Sequence, residues 1–69
     1  MFFTQILFNA AGEVAGKGTT DYPTADAAEQ AFHIAVASAI SKEETHKIIA
    51  IVFDAEGVIK HRRVWERNT

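Results

Sequence analysis

His46-Lys47-Ile48-Ile49-Ala50-Ile51-Val52-Phe53-Asp54-Ala55-Glu56-Gly57 holds the densest run of branched and aromatic residues in the chain, closed by Asp and Gly. Branched side chains are stiff at χ1 and pack well on a pleated surface, so His46 to Phe53 reads as a strand. Asp54 to Gly57 reads as a turn, because Asp bonds its own backbone and Gly takes positive φ without a Cβ clash. A further strand, roughly Val58 to Glu66, follows it. The same pattern stands near the start, where Ile6-Leu7-Phe8-Asn9-Ala10-Ala11-Gly12 echoes Ile51-Val52-Phe53-Asp54-Ala55-Glu56-Gly57. Phe2 to Phe8 is therefore a first strand and about Glu13 to Thr20 a second, weakened by Gly16 and Gly18 and so expected at an edge. Two uses of one turn chemistry produce this echo on their own, and a duplication within the chain would produce it too.

Between the two hairpins Pro23 disfavours helix in the residue before it, while Thr24 is a good N-cap with Asp26 and Glu29 in the turns that follow. A helix is expected from Thr24 or Ala25 to Ser41 or Lys42, with Ser41 to Thr45 as connector. Ala28, Ala31, Phe32, Ala35, Val36 and Ala39 recur at spacings of three and four, which puts them on one stripe facing a sheet. The order ββαββ, with apolar strands first and third, favours a sheet ordered 2-1-3-4 with every neighbouring pair antiparallel. The helix then crosses right-handed from the second strand to the third. The expected fold is an α+β two-layer sandwich in one domain, residues 1–69, with one helix on one face of a four-stranded sheet.

One helix covers one sheet face, and the other face of such a sheet is ordinarily polar. Here the alternation sends Ile48, Ala50 and Val52 one way and Ile49, Ile51 and Phe53 the other, while Phe2, Ile6 and Phe8 oppose Phe3 and Leu7. Both faces are apolar. The helix adds to this, since Gln30 to Ser41 contains no Asp, Glu, Lys or Arg and Ile34 lies away from the Phe32/Val36 stripe. Ile49, Ile51 and Trp65, with Arg63 at the rim and Ile34 on the helix, are the candidate interface. The expected partner is a second copy of the chain, most simply in a twofold homodimer.

At 69 residues and 7.6 kDa, a chain without Cys has neither disulfide nor thiolate metal site to reinforce a thin core. Self-association is the remaining means. A net charge of −2 gives no global attraction to nucleic acid or anionic membranes. The apolar start is too short to span a bilayer and lacks a basic leader, which makes the cytoplasm the expected compartment, with no membrane partner. Lys60-His61-Arg62-Arg63-Val64-Trp65-Glu66-Arg67 is the one basic, aromatic-containing run. Lys60, Arg62, Arg63 and Arg67 would be its phosphate contacts, but strand alternation splits them between two faces, and basic edge strands also serve to block aggregation. Weak nucleic-acid binding through this strand is the alternative function.

No catalytic, cofactor or metal residues are expected. His33, His46 and His61 are not spaced for a shared metal. Gly16-Lys17-Gly18 lies inside a strand and does not lead into a helix as a phosphate loop must. Ser38 and Ser41 have no base or nucleophile elbow near them in sequence.

Phe32-His33 in an Ala-rich helix, then Ile49-Ala50-Ile51-Val52-Phe53-Asp54-x-x-Gly57, then Val64-Trp65-Glu66-Arg67, resembles small uncharacterised proteins carried by phages and prophages of Gram-positive bacteria. The resemblance covers most of the second half of the chain. It implies no activity and no site residue. It implies a context, the virion or the host cytoplasm, in which a phage or host protein becomes a further expected partner.

Overall fold

The computed structural model describes residues 1–67. Strands β1 (Phe2–Phe8) and β2 (Val14–Asp21) precede helix α1 (Ala25–Ser41), and strands β3 (Lys47–Phe53) and β4 (Ile59–Glu66) follow it. The sheet is ordered β2-β1-β3-β4 with every adjacent pair antiparallel, which is the expected α+β arrangement.

The two hairpin turns have one chemistry. Asn9 Oδ1 accepts from the amides of Ala11 and Glu13, and Asp54 Oδ1 accepts from those of Glu56 and Val58, each bond within 2.9–3.0 Å. Gly12 and Gly57 donate their amides to the carbonyls of Asn9 and Asp54, and their φ angles are +80° and +84°. In each hairpin the strand register slips by one residue beside the turn, between Leu7 and Phe8 and between Val52 and Phe53. The left-handed Gly closes a three-residue loop, and the slip is a separate bulge further into the hairpin, where Ala15 of β2 and Lys60 of β4 have no partner in the register.

Helix α1 starts where Thr24, in extended backbone, accepts the Ala27 amide on Oγ1 at 3.1 Å. Its buried residues Ala28, Phe32, Val36 and Ala39 meet Phe3, Ile48, Ala50 and Val52, and the last three are at most 1% exposed. Ala at three of those positions brings helix and sheet close, and Phe3 and Phe32 fill the layer edge to face with centroids 6.3 Å apart. Among the described residues no buried side-chain nitrogen or oxygen lacks a hydrogen-bond partner.

Helix α1 lies across β3, β1 and β4. Towards β2 it leaves a groove of about 450 Å³ whose lining includes Phe3, Leu7, Tyr22, Ala31, Ile34 and Ala35. Among the described residues no helix is long and apolar enough to cross a membrane.

Candidate protein-interaction face

The strand registers decide which side chains share the sheet face away from α1. Because Ile48, Ala50 and Val52 are buried against the helix, Ile49, Ile51 and Phe53 project from the other side, as do Phe2, Thr4, Ile6 and Phe8 of β1. Reading across β2, β1, β3 and β4 gives four successive rows. They are Asp21, Phe2, Phe53, Ile59; then Thr19, Thr4, Ile51, Arg62; then Lys17, Ile6, Ile49, Val64; then Val14, Phe8, Lys47, Glu66.

The middle of this face is apolar and the charges stand mainly at its borders. Phe2 and Phe53 stack across the central strands with centroids 5.4 Å apart and rings 17° from parallel. Ile6, Ile49 and Ile51 continue the surface along the same two strands, and all remain partly exposed. Val64 and Ile59 extend it on β4, 44% and 54% exposed. Lys47 is the one charge within the central strands: its ammonium lies 5.3 Å from the Phe8 ring centroid and 4.0 Å from Glu66. The Thr4 and Thr19 hydroxyls bond each other at 2.7 Å and so meet part of their own hydrogen-bonding need.

Ile49 and Ile51 therefore lie on the uncovered face as expected, but Trp65 and Arg63 do not join them. Trp65 pairs with Ile48 and Arg63 with Ala50, which places both on the helix side. The cause is the bulge. Carried straight on from the turn, where Phe53 faces Ile59, the register would set Arg63 against Ile49. The extra residue in β4 reverses the parity and gives that place to Val64. Trp65 instead packs against the core cluster. Ile34, 61% exposed, belongs to α1 and to the groove on the helix side, separate from the Ile49/Ile51 surface.

The basic residues of the fourth strand are dispersed as their alternation implied. Arg62 reaches the uncovered face opposite Ile51, Arg63 the helix side, and Lys60 lies 3.7 Å from Asp54 in an ion pair at the turn. Arg67 is engaged elsewhere. Its guanidinium contacts the carbonyls of Ile40, Lys42 and Thr45 at 2.9–3.2 Å and lies 4.9 Å from the Trp65 ring centroid.

One side-chain cluster was illegible in the sequence. Glu29 Oε1 lies 3.6 Å from His33 Nε2 and 3.5 Å from His61 Nε2, joining the first half of α1 to β4. The Glu29/His33 spacing of four residues hinted at the first contact, but only the sheet register brings His61 to it. Among the described residues no three His, Cys, Asp or Glu side chains are arranged to hold a metal ion. No family model matches this sequence, and no curated protein or solved structure shows significant similarity to it.

Proposed function

We propose that this chain is a small non-enzymatic assembly module that works as a homo-oligomer through the sheet face turned away from α1. The observation that carries the reading is the row of Phe2, Ile6, Phe8, Ile49, Ile51 and Phe53 along the two central strands, on the side the helix does not cover. Each such side chain contributes about 1.5–3 kcal/mol when burial is complete. In the single chain these side chains are partly buried, so the smaller part of that contribution is left to a partner, in a domain whose total stability is only about 5 kcal/mol. A protein partner on this face supplies the rest. The likeness of the second half to phage-carried proteins suits an assembly or accessory role in the host cytoplasm or the virion, and a Cys-free chain suits a reducing compartment.

Light scattering coupled to size-exclusion chromatography over a wide concentration range tests the proposal. The expected result is a mass of two or more chains for the wild type and of one chain for Ile49→Asp, with the helical circular dichroism signal retained. A wild type that stays monomeric at high concentration overturns it. So does tight, salt-resistant binding of an oligonucleotide that Ile49→Asp abolishes, because the face would then serve nucleic acid.

A further inference from the structure

We draw no further inference here: the strongest candidate, the groove between α1 and β4 lined by Phe32, Val36, Ile40, His61 and Arg63, carries nothing, because it has a cation in Arg63 and an anion in Glu29, which lies against His61, and nothing in the structure shows what covers it.

Discussion

Asn9 and Asp54 hold the same place in two hairpins, and only one of them titrates. The Val58 amide is the main cause that holds the Asp54 carboxyl below its usual value of 3.8, assisted by the Glu56 amide and the Lys60 ammonium. A carboxyl with a depressed folded-state pKa contributes stability above its unfolded pKa and loses it as pH falls through the folded value. Asp54→Asn, which copies the Asn9 turn, is therefore expected to flatten the loss of stability below about pH 4, read as urea midpoint against pH. An acid limb as steep as the wild type's would place the titration elsewhere. The glycines divide by backbone angle. Gly57→Ala forces a Cβ into left-handed backbone and is expected to lower stability by about 1 kcal/mol. A Cβ on Gly18 meets nothing within 4 Å, so Gly18→Val is expected to raise stability by about 0.5 kcal/mol or more. Urea melts of the two variants decide both. Both turns and their glycines were legible because Asn, Asp and Gly act through their own backbone. The facing of Trp65 and Arg63 was not, because one bulged residue reverses every later side chain and leaves no local mark.

Helix α1 shows the same division. Its start was legible in Pro23 and Thr24, which act on their immediate neighbours. Its end was not. The last turn contains no basic residue, and the Ile40 and Lys42 carbonyls receive Arg67, a cation from beyond β4 that sequence reading had set among the phosphate contacts. A planar guanidinium reaches several carbonyls at once where an ammonium is a point charge. Arg67→Ala is expected to cost about 1.5–3 kcal/mol, the range for charge-assisted hydrogen bonds, and Arg67→Lys to recover only part of it. Thermal melts check both, with the helical circular dichroism signal showing whether the loss lies in α1. Equal stability of the Ala variant would mean that water serves these carbonyls as well as Arg67 does.

At the scale of the whole molecule, the apolar second face was legible from alternation in β1 and β3, and its border was not, since Val64 and Ile59 reach it only through the register of β4. That register separates two substitutions that sequence alone would group together. Trp65→Ala, on the helix side, is expected to lower the stability of the fold by about 2 kcal/mol and leave the association state unchanged. Ile49→Asp is expected to change the association state first. Sedimentation and melting measured together distinguish them, and a Trp65→Ala variant that folds normally but dissociates would reverse the assignment. The sheet order also bears on the path by which the chain folds. Each hairpin closes through a short turn, but β1 meets β3 only when a loop of roughly 40 residues is brought together, at an entropic cost the hairpins do not carry. The slow step of folding is then the docking of one hairpin on the other. Ile48→Val, at that seam, is expected to slow refolding in stopped-flow experiments, whereas Gly57→Ala alters the turn of the second hairpin alone, which closes before that docking. In a concentrated solution of unfolded chains the same seam can form between the first hairpin of one molecule and the second hairpin of another, so rapid refolding at high concentration should yield strand-exchanged dimers that slow, dilute refolding avoids.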